Sequence, residues 1–256
     1  FPNGVTIPCF SFEEMLDKTK RGMADYAMVP VENSVAGRVA DIHNLLPESG
    51  LYIVAEHFQK VNHQLLVLPG TKIKQIKTVK SHAQGIAQCR NLIKKLKLLP
   101  IQHVDTAGAA EEVSRMGDPK IAAIASNMAA KIYDLKILKN NIEDAEHNTT
   151  RFLIMARDPQ TPSVDISVAV TTIIFEVRSV PAALYKVLGG FATNGINLTK
   201  LESYIGGKEM NAARFYVDAE GHPDTKPMQN ALEEMYFYSE PNSVKIIGTY
   251  SRARKN

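Results

Sequence analysis

The chain has 256 residues, with thirty basic and twenty-seven acidic side chains and a net charge of +3, a near-balance that argues against a nucleic-acid footprint or an acidic interaction tail. Apolar residues make up 45 %, enough for real cores in one large or two ordinary domains, and no stretch reaches the roughly eighteen unbroken apolar residues of a membrane span. Two cysteines, Cys9 and Cys89, are too few for a disulfide framework, and no signal peptide is visible, so a reducing, cytoplasmic setting is expected.

Ser11-Phe12-Glu13-Glu14 is a capping box, which predicts a helix to about Arg21 with Gly22 as its stop. Tyr26 to Val29 reads as a buried strand emptying into a polar loop, Pro30 to Gly37, with a helix from Arg38 to Leu46. That order leaves backbone N–H groups free at the loop, a natural place for an anion, although an ordinary βα loop has the same pattern. Leu51 to Leu68 is β-rich and interrupted at Gln59 to Gln64, giving two strands or one long one. Ile76 to Lys80 is a strand that turns through Ser81-His82-Ala83-Gln84-Gly85 into a helix, Ile86 to Leu96. Ile86, Cys89, Ile93 and Leu96 share one face of that helix, while Gln84 and Gln88 share another. Ile101 to Val104 is a strand, and Asp105 or Thr106 caps a helix to about Met116. Ile121 to Ala125 is a buried strand, Ser126 to Tyr133 a helix, and Leu135 to Ile142 leads onward.

Asn148-Thr149-Thr150-Arg151-Phe152 then places amide, hydroxyls, a fixed cation and a ring where a loop enters the apolar strand Leu153 to Ala156. Alone, the stretch reads equally well as a turn with strand-facing side chains. Its company is more telling: Glu32-Asn33-Ser34, Ser81-His82 and Asp105-Thr106 all follow predicted strand ends. The strand–helix alternation predicts an α/β fold with a mainly parallel sheet, whose ligand would lie outside the carboxyl ends of the strands. His82 invites a reading as general base, but a histidine after a strand is more often a satisfied turn residue, and His147 is read the same way.

Asp158-Pro159-Gln160-Thr161-Pro162-Ser163 has the composition of a linker. Beyond it the order is strand Ile166 to Val177, helix Ala182 to Thr193, strands Ile196 to Ile205 and Ala212 to Val217 around a Gly206-Gly207 turn, helix Lys226 to Tyr238 and strand Val244 to Tyr250. This βαββαβ order predicts a ferredoxin-like domain.

Taken together, the chain resembles prephenate dehydratase with a C-terminal ACT regulatory domain, and the resemblance covers almost all of it. It rests on Val29-Pro30-Val31-Glu32-Asn33-Ser34, His63-Gln64-Leu65-Leu66, Ser81-His82-Ala83-Gln84, Gln88-Cys89, Asp105-Thr106-Ala107 and Asn148 to Phe152, then on Pro181-Ala182-Ala183-Leu184 and Ile196 to Ser203. The family implies a two-lobed, type II periplasmic-binding-protein-like catalytic region. On this basis residues 1–157 are expected to form the catalytic domain, with lobes at about 1–60 plus 143–157 and 61–142. Residues 158–165 would be the linker and 166–256 the ACT domain. The family's opening glycine-rich strand and loop are expected to precede Phe1. The implied reaction is decarboxylating dehydration of prephenate to phenylpyruvate, with no metal or organic cofactor, in a homodimer or homotetramer regulated by L-phenylalanine.

The resemblance points to Thr150 as the hydroxyl that bonds the departing hydroxide, with Glu32 as the runner-up proton donor. Arg151 is expected to hold a substrate carboxylate in a bidentate fork, helped by backbone N–H groups beside Ser34 and Ser81. Asn33, Gln88 and Asp105 are assigned to binding and orientation and Phe152 to the apolar wall. For phenylalanine, Pro181, Ala182, Ala183 and Leu184 would offer helix N-terminal N–H groups and Asn197 and Glu202 polar contacts, with Leu198 and Ser203 also expected in that site. Departures from the family pattern are Ala182 in place of glycine, Tyr204-Ile205 in place of Arg-Pro, and Ala83 in place of proline. The first two bear on phenylalanine sensitivity. A non-catalytic two-lobed sensor and an arogenate dehydratase are the alternative readings; a pure binder would need Arg151 but have little use for Thr150 beside it.

Overall fold

The computed structural model of the chain describes residues 1, 3–145, 147–164, 168–206 and 212–253. In chain order its first elements are α1 (Phe12–Lys20), β1 (Ala27–Asn33), β2 (Gly37–Arg38), α2 (Ala40–Leu45) and β3 (Tyr52–Lys60). Next come β4 (Gln64–Val67), β5 (Thr78–Ser81), α3 (Ala83–Gln88), α4 (Arg90–Leu96), β6 (Leu99–Gln102) and α5 (Thr106–Met116). They are followed by β7 (Ile121–Ala125), α6 (Asn127–Ile132), β8 (Lys136–Lys139) and β9 (Thr149–Ala156). The C-terminal run is β10 (Ala169–Glu176), α7 (Ala183–Thr193), β11 (Leu198–Gly206), β12 (Ala212–Glu220), α8 (Lys226–Tyr238) and β13 (Lys245–Ser251). Gly207, the start of the strand expected from Ile166, and the last three residues of the expected ACT domain lie outside the described residues. Among the described residues no helix is long and apolar enough to cross a membrane.

Two compact units result. The first comprises Phe1–Glu32, Arg38–Phe58 and Arg151–Asn256. It holds most of a four-stranded sheet, β2-β1-β9-β3, and the whole of another, β11-β12-β10-β13. The second of these sheets is antiparallel, with Ile173 opposite both Val217 and Ile246, and with α7 and α8 it makes the βαββαβ ferredoxin-like fold. Period-two alternation sends β10 side chains to opposite faces. Ile173 and Phe175 pack with Val187, Phe191, Met228 and Met235 beneath the helices. Val170 and Ile174 join Tyr216, Ile247 and Tyr250 in one core with Val29, Val31, Ile53, Leu153 and Met155. The approach there is close: a Cβ on Gly248 would stand 2.3 Å from the Ile53 carbonyl oxygen.

The second unit is Asn33–Gly37 with Gln59–Thr150. Its five-stranded sheet runs β6-β5-β7-β4-β8. β5 pairs parallel with β6 and β7, while β4 pairs antiparallel with β7 and β8. The sheet is therefore mixed rather than mainly parallel. Its helix crossovers serve β5, β6 and β7, and the buried run Gln64–Val67 is inserted against their direction. Cores lie on both faces, one around Leu65, Val79, Ile93 and Ile124, the other around Leu66, Val113, Ala123 and Ala130.

Local chemistry explains the boundaries. Ser11 caps α1 by accepting from Glu14 N–H, and the Glu14 carboxylate reaches back to Phe10 N–H at 2.7 Å. Asp105 caps α5 through Gly108 N–H at 2.7 Å, and Gly117 ends it at φ +66°. The helix expected over Ile86–Leu96 is broken at Cys89. Asp144 causes the break: its N–H takes the Gln88 carbonyl at 2.6 Å and its carboxylate caps Asn91 N–H.

Candidate active site

The polar loop expected at Pro30–Gly37 is instead a hairpin, because β1 runs on to Asn33 and β2 starts at Gly37. The turn closes when Asn33 Oδ1 accepts the N–H groups of Val35 and Ala36 at 3.0 and 2.8 Å. Ser34 N–H goes to the Thr149 carbonyl, and Ser34 Oγ donates to the His147 carbonyl and accepts Thr149 N–H. These groups are thereby spent on holding the turn to the start of β9, which corrects the expectation of an open anion cradle at Ser34.

What the turn does supply is a chain of side-chain amides within the second unit. Asn33 Nδ2 donates to Thr150 Oγ at 2.9 Å and to Asn148 Oδ1 at 2.8 Å. Asn148 Nδ2 donates to Gln88 Oε1 at 2.8 Å, and the same oxygen lies 2.8 Å from His63 Nε2. Asn148 is 1 % and His63 6 % exposed, whereas Asn33, Gln88 and Thr150 are half-buried. Thr150 Oγ accepts from Asn33, and among the described residues its own hydrogen meets no acceptor, so it can donate to another group. Three of the expected site residues, Asn33, Gln88 and Thr150, are thus brought together. Asn148 and His63 complete the chain; both lie in motifs that carry the family resemblance, but neither has a site role in the sequence reading.

Arg151, the next residue along β9, belongs to a different cluster, inside the first unit. Its Nε donates to Glu56 at 2.8 Å, Nη1 to Glu32 at 3.1 Å and Asp218 at 2.7 Å, and Nη2 to Tyr250 Oη at 3.0 Å. The side chains of Arg151, Glu56 and Asp218 are 8 %, 3 % and 0 % exposed. Asp218 also accepts from Thr172 at 2.6 Å. Burial opposes the Arg151 charge, but Asp218 and its other neighbours reverse the effect and push its pKa up. The expected substrate fork is therefore already closed on protein carboxylates. Glu32 bridges Arg151 and Lys200. Burial alone would raise its pKa, yet these cations prevail and hold it below the usual carboxylate value.

The remaining expected residues have other partners. Ser81 is fully buried and donates to the Ile124 carbonyl, which ties β5 to β7. His82 caps α3 through Gln84 N–H. Asp105 is exposed and serves as the α5 cap. Phe152 is half-buried in β9. In the ferredoxin-like fold, Ala182 precedes α7 at φ +62°, a left-handed conformation that suits glycine. Pro181 is exposed, Ala183 is buried in the first turn and Leu184 packs against the helix-side core. Asn197 Nδ2 donates to Glu220, Leu198 is partly buried in that core and Ser203 is exposed. Glu202 pairs with Lys200 and Arg38 and lies 3.7 Å from His43.

Residues 1–160 match the family model for prephenate dehydratase. A bifunctional N-acyl-homoserine lactone acylase/prephenate dehydratase of Komagataeibacter europaeus is 46 % identical over 249 residues, covering 97 % of this chain and 88 % of that protein. The chloroplastic arogenate dehydratase/prephenate dehydratase 1 of Arabidopsis thaliana is 38 % identical over 264 residues, covering 98 % of this chain and 67 % of that protein. Among solved structures, prephenate dehydratase from Arthrobacter aurescens in complex with L-Phe superposes with a TM-score of 0.86 at 29 % identity, covering 96 % and 81 % of the two chains. The chain belongs to the prephenate dehydratase family.

Proposed function

We propose that the protein converts prephenate to phenylpyruvate and is regulated by L-phenylalanine through its ferredoxin-like domain acting as an ACT domain. The observation that carries the catalytic half is Thr150 Oγ, which accepts from Asn33 and whose own hydrogen meets no acceptor among the described residues. In this reading the bond from the ring to its carboxylate breaks and the electron pair enters the ring. The ring carbon–oxygen bond breaks with it, and carbon dioxide and hydroxide depart. Aromatisation drives the step, and the departing hydroxide is neutralised by a buffer acid of the bulk solvent. A threonine hydroxyl is too weak an acid to give up its proton fully. Its value is as a donor that tightens while charge builds on the leaving oxygen, an effect of about 3 kcal/mol. Glu32, kept ionised by Lys200 and Arg151, is assigned with Arg151 to the framework that holds β9. Phe152 is assigned to the apolar wall. Ser34 holds the turn beside the amide chain, Ser81 ties β5 to β7, and Asp105 caps α5.

The regulatory half is supported by L-Phe in the Arthrobacter aurescens enzyme. Here Val180 to Leu184 and Asn197 would receive the amino acid, with Glu202 partly committed to Lys200 and Arg38. A discontinuous phenylpyruvate assay, run with and without phenylalanine, tests both halves. Turnover suppressed by phenylalanine supports both, turnover indifferent to it removes the second, and no turnover removes the first. The ratio of kcat/KM on prephenate and arogenate decides between those substrates.

The 46 % identity to a bifunctional relative favours a second reading, added acylase activity on an N-acyl-homoserine lactone. Free fatty acid and homoserine lactone measured after incubation with that substrate would support it, and intact substrate would remove it.

A further inference from the structure

The orientation of every amide in the chain leading to Thr150 is forced from one end. Val35 and Ala36 N–H can only donate, so the Asn33 atom they meet is its oxygen and the other is its nitrogen. Asn33 Nδ2 is then the donor to Asn148, which fixes Asn148 Oδ1 as the acceptor and Nδ2 as the atom facing Gln88. The Gln88 atom between Asn148 and His63 must consequently be oxygen, and His63 Nε2, 2.8 Å from it, must carry a hydrogen. Reversing any one amide would set two donors or two acceptors against each other, a cost of roughly 1–3 kcal/mol for each buried group left unsatisfied.

The backbone that carries the imidazole is held in place. His63 backbone N–H donates to Glu143 at 2.8 Å, and its carbonyl accepts Ile142 N–H at 2.9 Å. With Gln88 Oε1 occupied by both His63 and Asn148, the Gln88 NH2 group is turned away from them. Among the described residues it meets no acceptor.

We propose that His63 is a positioning residue for the dehydratase reaction. Through Nε2–H it locks Gln88 with its NH2 presented to an anionic oxygen of the substrate. This rests on the dehydratase reading. Without the imidazole donor, Gln88 is held only by Asn148 and its amide can turn. The carbonyl oxygen then faces the substrate anion and repels it. The substrate's carboxylates are charged before the reaction as well as during it, so the loss falls mainly on ground-state binding and appears in KM rather than kcat. Glutamine at position 63 places an amide nitrogen where Nε2 lies and can restore the bond, whereas leucine cannot.

The test combines kinetics with nitrogen NMR on the intact chain. Long-range 1H–15N spectra should show His63 with hydrogen on Nε2. His63→Leu should raise KM for prephenate about tenfold, the worth of one hydrogen bond at the upper end of its usual range, with kcat changed less than about threefold. His63→Gln should return KM to within about threefold of wild type. A bare Nε2, an unchanged KM in His63→Leu, or equal impairment in both variants would overturn the proposal. Wild-type protein without dehydratase turnover would instead overturn the functional reading, and this role with it, while the NMR result would still report the orientation of the chain.

Discussion

Arg151 shows how strongly a residue's meaning depends on partners distant in sequence. From the sequence it reads as a free cation beside a hydroxyl, the obvious fork for a carboxylate. In the structure four of its N–H donors go to Glu32, Glu56, Asp218 and Tyr250, which come from β1, β3, β12 and β13. No local signal marks Asp218, which sits inside an apolar strand, or Glu56, one acid among alternating residues of β3. Arg151→Met should cost about 3–5 kcal/mol in urea denaturation, because it leaves Asp218, 0 % exposed, without its cation; a change under about 1 kcal/mol would show the cluster to be solvated. His43 behaves differently. It is 2 % exposed, stacks on Tyr216 at 5.5 Å, and among the described residues neither ring nitrogen meets a hydrogen-bond partner. Burial pushes its pKa below the ordinary value, Lys200 and Arg38 add to this, and Glu202 and Glu32 oppose it. The unfolded chain therefore binds the proton more readily. The stability conferred by a neutral His43 is complete above about pH 6.5 and is lost as pH falls through that value. Thermal melts between about pH 7 and 5 should show a drop in Tm that shrinks in His43→Phe; identical slopes would assign the drop elsewhere.

Elements were legible where their ends carry their own chemistry. α5 and α6 start one residue after capping side chains, Asp105 and Ser126, and α8 and β7 carry long or fully apolar patterns. The βαββαβ order could be read before any contact was known, because each turn and periodicity switch is local. Two elements failed in part for non-local reasons. The hairpin at Asn33 closes on a local side-chain turn but is also tied to β9 through Ser34, and the break at Cys89 is made by Asp144, far along the chain. Two predictions belong here. Ala182, at φ +62°, is strained where glycine is not, so Ala182→Gly should stabilise by roughly 0.5–1 kcal/mol; a lower Tm would mean the methyl makes a compensating contact. Gly248→Ala should destabilise by about 1–3 kcal/mol, since its Cβ would meet backbone at Ile53 rather than a yielding side chain. Unchanged stability in urea would show that β13 can shift.

For the whole molecule, family, α/β class and the ferredoxin-like fold were readable, because many short motifs in a fixed order are more specific than any one of them. Half of the candidate site was also readable: Asn33, Gln88 and Thr150 converge, whereas His63 and Asn148 gain their meaning only from the amide chain. Core sharing was not readable. Val170, Ile174, Tyr216 and Tyr250 pack in one core with Val31, Ile53 and Leu153, so the ferredoxin-like fold and the β2-β1-β9-β3 sheet stabilise each other. Removing the chain beyond residue 164 should therefore yield protein that fails to melt cooperatively, and a sharp transition in that fragment would show the two parts to be independent. The central claim concerns Thr150, and the most direct measurement is the phenylpyruvate-forming kcat of Thr150→Val beside wild type. The account predicts a fall of about 100-fold with KM little changed. A near-normal kcat would contradict it and remove Thr150 from the reaction.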